Sequence, residues 1–200
     1  MEIKLHEHIP IDNYDLILYN TNGEYQDGAR SEVYYTMDDI INNKISSLYL
    51  NNTSFGLTTH IYRTDLVAID IDMVPASIFI NFDNEDKRCR DFVNRYNKAH
   101  KFCKTSSELI LYRLSILKTY ITEIFDVKKV VVMQSSPGSY HIIIKLNNIQ
   151  NVKHIYNSKH LHPFMCKGYL KFINTSGYAT IRITEKNNKP ETKLQLVKCD

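Results

Sequence analysis

The stretch that most constrains this chain runs from Val67 to Met73, because it places two aspartates one residue apart inside an apolar run. Acidic side chains are disfavoured in apolar strands, so their presence here is informative. In a β-strand Asp70 and Asp72 would share one face, while Ile69 and Ile71 would point to the other. Two adjacent carboxylates repel each other unless a cation lies between them, and Mg²⁺ or Mn²⁺ prefers such oxygen ligands. The pattern predicts a divalent-metal site, with a solvated strand end as the alternative.

The length and composition of the chain predict a single folded domain. It has 200 residues, of which 43% are hydrophobic and 24% charged, as in an ordinary globular protein. No apolar run approaches the ~18 residues of a membrane span, and the first residues lack a signal-peptide pattern. We therefore expect a cytoplasmic protein without membrane contact. The cysteines contain no C-x-x-C pair, which predicts reduced thiols rather than a disulfide framework. They are Cys89, Cys103, Cys166 and Cys199.

A second feature is the segment from residue 87 to residue 104, which is far more basic than the rest of the chain. The formal net charge of +3 does not by itself indicate a nucleic-acid ligand, because phosphate binding depends on local charge. Phe92, Tyr96 and Phe102 are interleaved with the basic residues, a pattern that suits a nucleic-acid strand stacking on the rings. A solvated helix face is the alternative. The basic residues are Lys87, Arg88, Arg90, Arg95, Lys98, Lys101 and Lys104.

Hydrophobic periodicity predicts both strands and helices in the first two thirds of the chain. Thr105 and Glu108 have the spacing of a capping box, which predicts the start of a long helix at this point. The other predicted elements are strands at 16–19, 56–62 and 67–73, a helix at 36–51, and a helix from about residue 84.

Two β-branched runs in the last third, at residues 128–134 and 140–146, predict a hairpin. Its turn carries candidate functional residues, because Gly138 and Ser139 are small enough for a ligand to approach and His141 follows them. Amides, hydroxyls and an imidazole at such a turn suit a triphosphate, whereas a purely structural histidine is the alternative. Further predicted elements are a helix at 151–158, strands at 168–173 and 178–184 with a turn at 174–177, and a strand at 194–197.

The order of these features resembles the archaeo-eukaryotic primase superfamily, especially the small primase-polymerases of archaeal viruses and plasmids. The shared signature is a hydrophobic-Asp-hydrophobic-Asp strand, a Ser-x-His motif after a small-residue turn, and a third acidic residue on a later strand. Asp70 with Asp72, and Ser139 with His141, match the first two parts.

The resemblance implies an α+β fold, with a mixed or antiparallel sheet of the RNA-recognition-motif type covered by helices. It implies an N-terminal α/β module at residues 1–60, a metal- and nucleotide-binding core at 61–186 and a polar tail at 187–200. All three would belong to one primase-like catalytic domain.

The resemblance also implies a site for nucleotide transfer. Asp70 and Asp72 would hold two Mg²⁺ or Mn²⁺ ions, with Glu185 as the third acidic ligand and Glu191 as its reserve. The triphosphate would contact the turn and nearby basic residues, namely Ser136, Gly138, Ser139, His141, Arg182 and Lys186. The implied partners are a single-stranded DNA template, nucleoside triphosphates, and a helicase or replicative polymerase.

Three alternatives remain open at this point. His160 and His162 flank Leu161 in the arrangement of a rolling-circle replication endonuclease, for which Tyr169 would be the nucleophile. His160, His162 and Cys166 could instead contribute to a zinc site, although a fourth ligand is not evident. The chain could also be a primase-fold subunit that binds nucleic acid without catalysis.

Overall fold

The computed structural model describes residues 17–21, 34–35, 54–60, 65–80, 87–148, 151–182 and 195–198. These residues form an α+β structure of eight strands, four α-helices and two short 3₁₀ turns, at Ala99–Lys101 and His162–Phe164. The strands are β1 (Ile17–Thr21), β2 (Tyr34–Tyr35), β3 (Ser54–His60), β4 (Leu66–Ile71), β5 (Val127–Ser136), β6 (Ser139–Leu146), β7 (Tyr178–Arg182) and β8 (Gln195–Leu196). The helices are α1 (Lys87–Lys98), α2 (Ser106–Ile124), α3 (Asn151–Tyr156) and α4 (Lys167–Ser176).

The described strands form two four-stranded sheets in which every described pair is antiparallel. The first sheet has the order β2-β1-β3-β7, and the second has the order β4-β6-β5-β8. Because β3 pairs with β7, the first sheet combines a strand from residues 1–60, the expected N-terminal module, with a strand from residues 61–186, the expected core. The α+β class with antiparallel sheets and helices is therefore confirmed. Among the described residues, no helix is long and apolar enough to cross a membrane.

The core lies on both faces of the second sheet. Neighbouring residues of β4, Val67 and Ala68, point to opposite faces, and both are fully buried. Their partners on β6, Ile144 and Ile143, are equally buried. Burial on both faces explains why β4, β5 and β6 are almost continuously apolar rather than alternating.

The predicted hairpin is confirmed as β5 and β6. Ser136 pairs with Ser139, so that Pro137 and Gly138 alone form the turn. Gly138 has a φ of +83°, which suits glycine, while the proline ring fixes the preceding φ near about −65°. Ser135 is an extra residue in β5, because Gln134 pairs with Tyr140 and the next pair is Ser136 with Ser139. Such bulges re-aim side chains at the end of a sheet.

The predicted capping box is present at the start of α2. The Thr105 hydroxyl accepts a hydrogen bond from the Glu108 N–H, and the Glu108 carboxylate accepts one from the Thr105 N–H. Helix α1 packs against α2 through Phe92 and Tyr120, whose rings stack with their centroids 4.0 Å apart. The two helices therefore pack against each other as a pair.

The strand predicted at residues 168–173 is wrong, because these residues lie in helix α4. Their aromatic and β-branched side chains favour a strand, but Tyr169 and Ile173 are four residues apart and both are buried. That spacing matches one face of a helix rather than of a strand. The predicted turn at 174–177 is the end of the helix, where Gly177 adopts the left-handed conformation with a φ of +75°.

Most of the other predicted elements agree with the structure. The strand at 16–19 corresponds to β1, that at 56–62 to β3 and that at 194–197 to β8. The strand predicted at 178–184 is present as β7, of which residues 178–182 are described. Helix α3 matches the prediction at 151–158, and α1 is described from Lys87 onward. The helix predicted at 36–51 lies outside the described residues.

Candidate functional site

The two sequence motifs meet on adjacent strands. Asp70 on β4 is the direct cross-strand partner of His141 on β6. The backbone carbonyl of Asp70 points away from β6 and accepts a hydrogen bond from the Cys166 N–H at 3.1 Å. The Asp70–His141 pair is therefore of the type without mutual backbone hydrogen bonds, in which side chains approach most closely. The Nε2 atom of His141 lies 3.4 Å from the Asp70 Oδ1 atom.

The two side chains of this pair differ in their access to solvent. The Asp70 side chain is 27% exposed, whereas the His141 side chain is 6% exposed. The Nδ1 atom of His141 is buried and has no hydrogen-bond partner among the described residues. A buried polar atom without a partner is rare in folded proteins and needs a specific explanation, such as a water molecule or a ligand. The His141 imidazole is thus more deeply buried than the Asp70 carboxylate. Its Nδ1 atom lacks a hydrogen-bond partner among the described residues.

Asp72 lies just beyond the strand that carries Asp70. The acidic strand was expected to continue to Met73, but β4 ends at Ile71, whose partner Tyr140 is the second residue of β6. Asp72 is exposed and its carbonyl accepts a hydrogen bond from the Ser139 hydroxyl at 3.0 Å. This contact joins the acidic motif directly to the first residue after the hairpin turn.

Cys166 also belongs to this cluster, although no sequence pattern places it beside Asp72. Its thiol forms a hydrogen bond with the Asp72 carboxylate, and this contact raises the pKa of Cys166. Backbone N–H groups of Tyr169 and Gly168 oppose the shift. Since Cys166 caps the N-terminus of α4, its position is determined by the helix that the sequence pattern did not predict. No local motif indicates this long-range contact.

The chain after Asp72 is held in place by α1 and α2. The Tyr96 hydroxyl donates to the Pro75 carbonyl at 2.8 Å, and the Arg113 guanidinium donates to the Ala76 carbonyl. The Asn97 side chain bonds both the N–H and the carbonyl of Ile78, each at 2.9 Å. Burial raises the pKa of Tyr96 well above its ordinary value, although the Arg113 charge opposes this. These bonds fix the direction in which the chain leaves the acidic motif.

The hairpin turn leaves space beside the cluster. A Cβ atom added to Gly138 would meet no atom within 4 Å. Gly138 is exposed, while Ser136 and Ser139 are partly buried. The turn can therefore be approached closely by a ligand, and the two serines flank it in the sequence.

The described residues supply only part of the predicted metal site. Asp70 and Asp72 offer carboxylate oxygens, the ligands that Mg²⁺ and Mn²⁺ prefer. No group of three or more His, Cys, Asp or Glu side chains close enough to hold a metal occurs among the described residues. Glu185, Lys186 and Glu191 lie outside them. Arg182 is described only in its backbone, which pairs with Gly56 in the other sheet.

The two histidines of the alternative endonuclease motif have separate roles. The motif should lie inside a strand, but Leu161 and His162 lie at the start of a 3₁₀ turn. The His160 Nδ1 atom lies 2.5 Å from the Tyr120 hydroxyl, and the His162 Nε2 atom lies 3.1 Å from the Tyr156 carbonyl. The Tyr169 hydroxyl is buried and donates to the Ala68 carbonyl. The two histidines thus contact different partners, as separate structural side chains would. The tyrosine is not exposed, whereas a nucleophile would have to be.

Comparisons of the chain with protein-family models, with curated proteins and with solved structures found no match.

Proposed function

We propose that this protein is a metal-dependent nucleotidyltransferase of the primase-polymerase type, with the catalytic core of the archaeo-eukaryotic primase superfamily. The observation that carries the proposal is the cross-strand pairing of Asp70 with His141. The acidic motif and the Ser-x-His motif are separate in the sequence, and a shared function requires them to meet. The antiparallel β4-β6-β5 arrangement beside a helix pair supports the same assignment.

In the proposed site, the carboxylates of Asp70 and Asp72 hold Mg²⁺ or Mn²⁺, with Glu185 as the third ligand. When bound, these ions neutralise phosphate charge and activate the attacking hydroxyl group. The oxygen donors and the partial exposure of Asp70 fit such ions. Arg182 and Lys186 would supply further positive charge to the phosphates.

The hairpin turn would orient the triphosphate. The Gly138 amide and the Ser136 hydroxyl provide donors for phosphate oxygens, and the open space beside Gly138 allows close approach. The Ser139 hydroxyl donates to the Asp72 carbonyl, so it would turn to a phosphate oxygen only by giving up that bond. His141, which is more deeply buried than Asp70, would donate a hydrogen bond to the triphosphate or supply a positive charge close to it. The hydrogen bond from Ser139 to the Asp72 carbonyl couples the position of this turn to that of the carboxylates.

A second candidate is a primase-fold subunit that binds a single strand without catalysis. It requires that Glu185, which lies outside the described residues, does not complete the acidic site. The presence of Asp70 and Asp72 at the end of an apolar strand favours the enzyme, since acidic residues are disfavoured there and carboxylate oxygens are the ligands that Mg²⁺ and Mn²⁺ prefer.

The experiment that tests the proposal measures incorporation of labelled nucleotides by the purified protein with a single-stranded template and Mg²⁺ or Mn²⁺. We expect the wild-type protein to make a product, and Asp70→Asn with Asp72→Asn to reduce its rate at least ~100-fold, because a metal site supplies several kcal/mol. The variant should remain folded and be slightly stabilised, since removing both charges removes their repulsion.

A matched control neutralises two exposed carboxylates elsewhere, with Glu108→Gln and Asp126→Asn. Glutamine can replace glutamate in the capping box, so the fold of α2 should be kept. The control should retain wild-type activity. Full activity in the double-Asn protein would exclude the assignment, whereas single-strand binding without any synthesis by the wild-type protein would establish the accessory subunit.

A further inference from the structure

A groove between α1 and α2 is separate from the Asp70–His141 site and combines cations with an exposed aromatic ring. It has a volume of about 640 Å³. Three basic side chains of α1 line it, at positions 88, 95 and 98, which lie on one face of the helix. Asp91, Phe102 and Glu123 also line the groove.

The positive charge of this protein is concentrated in the segment that forms one wall of the groove. Residues 87–104 contain seven of the 25 basic residues and only one of the 22 acidic residues of the chain, Asp91. The rest of the chain therefore has 18 basic and 21 acidic residues, so its net charge is negative. The segment is the region to which a polyanion is attracted.

The structure decides which aromatic residues of this segment can meet a ligand. Phe92 and Tyr96 are buried, and both rings pack against Phe164. Phe102 is 71% exposed, and its ring lies edge-on to that of Tyr112, with the centroids 6.2 Å apart. Only Phe102 of the three therefore offers a ring face on which an unpaired base can stack.

We propose that the groove between α1 and α2 binds single-stranded nucleic acid, with Arg88, Arg95 and Lys98 contacting phosphates and Phe102 stacking on a base. The distance along the helix from Arg88 to Lys98 is about 15 Å. This length accommodates several phosphates, because a stacked strand rises only about 3.4 Å per nucleotide along its axis. Stacking on Phe102 requires a base that is free of its duplex, which favours a single strand over a double one.

The two carboxylates of the groove are compatible with this ligand. The Glu123 backbone carbonyl accepts a hydrogen bond from Arg88 at 3.4 Å, which holds the guanidinium at the groove wall. The carboxylates of Asp91 and Glu123 can accept hydrogen bonds from the exocyclic amino groups of bases. A single strand presents both phosphates and such amino groups, whereas the side chains of an acidic peptide present only carboxylates, which Asp91 and Glu123 repel.

The proposal goes beyond the catalytic assignment, because it concerns a second surface and does not depend on metal or on nucleotide transfer. The test measures the binding of a fluorescently labelled 20-nucleotide single strand of DNA by anisotropy, over a range of salt concentrations. The groove variant combines Arg88→Gln, Arg95→Gln and Lys98→Gln. Its matched control combines Lys87→Gln, Arg90→Gln and Lys101→Gln, which removes the same charge from exposed positions outside the groove.

We expect the groove variant to lose about two orders of magnitude in affinity at 0.1 M salt, because each phosphate contact on a single strand contributes ~0.7 to the salt slope. The slope of log affinity against log salt should fall in magnitude by about 2. The control should lose much less. Phe102→Ala should weaken binding several-fold without changing the salt slope, since stacking releases no counterions.

Equal losses in the groove variant and its control would overturn the proposal, as would wild-type binding in both. Competition by polyglutamate as strong as that by an unlabelled strand would identify the groove as an acidic-peptide site instead. The Asp70→Asn and Asp72→Asn protein should bind the strand as tightly as the wild type. Groove-dependent binding by a protein that makes no product would therefore leave this proposal standing while the proposed enzymatic function fails.

Discussion

The hydroxyl group of Tyr156 bonds both backbone groups of Ala68, since it accepts from the N–H and donates to the carbonyl, each at 2.9 Å. Ala68 lies on the outer side of β4, which is an edge strand of the second sheet. The Tyr169 hydroxyl donates to the same carbonyl, and the Cys166 N–H bonds the Asp70 carbonyl. Exposed strand edges invite pairing with other chains, and here side chains and a helix N-terminus cover the edge. The covered edge holds Asp70 at a fixed position.

Tyr156→Phe should cost more stability than Tyr169→Phe. Loss of the Tyr156 hydroxyl leaves the Ala68 N–H buried without its partner, which costs about 1–3 kcal/mol. Loss of the Tyr169 hydroxyl leaves the Ala68 carbonyl still bonded to Tyr156, so a loss of about 1 kcal/mol or less is expected. Urea denaturation followed by circular dichroism measures both. Equal losses in the two variants would contradict the bonding pattern at this edge.

Gly138→Ala should lower the free energy of unfolding by about 1–2 kcal/mol, which is the cost of a left-handed backbone for a residue with a Cβ atom. The added methyl group meets no neighbour within 4 Å, so backbone strain is the only cost. Gly138→Asn should cost less, because asparagine tolerates this conformation better. Urea denaturation measures all three proteins.

Gly168→Ala is the matched control for this prediction. Gly168 lies in α4, and its added Cβ atom would be 3.9 Å from the Cys166 Sγ atom, an ordinary contact. Alanine is the better helix former, so this variant should be stabilised by up to ~1 kcal/mol. The same chemical change is thus expected to have opposite signs at the two positions. A destabilised Gly168→Ala protein together with an unaffected Gly138→Ala protein would show that the turn is not strained as described.

These elements differ in how well the sequence predicts them, and the reason is the range of the interactions involved. The turn at Pro137 and Gly138 and the capping box at Thr105 depend on residues within a few positions of each other, and both are predicted correctly. Helix α4 is not predicted correctly, because its aromatic and β-branched residues favour a strand locally. The burial of Tyr169 against β4 favours a helix instead. Tertiary packing overrides local preference there.

The same distinction applies to the candidate site. The one-residue spacing between Asp70 and Asp72 allows Asp70 to be selected from the sequence as a candidate site residue. The position of His141 after a hairpin turn does the same for His141. The end of β4 at Ile71 depends on where β6 begins, so the exposed position of Asp72 after the strand is not predictable from the Asp-x-Asp pattern. Its contact with Cys166 joins distant parts of the chain through α4, and no local signal marks it.

Asp72→Asn should increase the reactivity of Cys166 with iodoacetamide. The hydrogen bond to the Asp72 carboxylate is the largest cause of the raised pKa of Cys166. A raised pKa reduces the thiolate fraction at any pH below it, and the thiolate is the reacting form. Removing the carboxylate lowers the pKa, so the rate should rise at pH 7–8 and approach the wild-type rate at high pH.

Mass spectrometry of the peptides, after alkylation in the presence of a chelator, measures this rate at each cysteine. Cys103 is partly exposed and provides the reference thiol in the same sample. Its rate should not change in the Asp72→Asn protein. An unchanged Cys166 rate would contradict the thiol–carboxylate contact, and an equal rise at both cysteines would indicate a general loosening of the fold instead.

His141→Ala should raise the apparent KM for the incoming nucleotide by about 10-fold or more, because a hydrogen bond to a charged group contributes about 1.5–3 kcal/mol. His141→Gln keeps an amide donor near the same position and should recover part of the loss. His154→Ala removes an exposed histidine from α3 and is the matched control, which should keep the wild-type KM. Nucleotide titrations in the incorporation assay measure KM for all four proteins, with circular dichroism to verify that each is folded. The His141 side chain is buried under Asp70, so a folded His141→Ala protein with an unchanged KM would assign it a purely structural role.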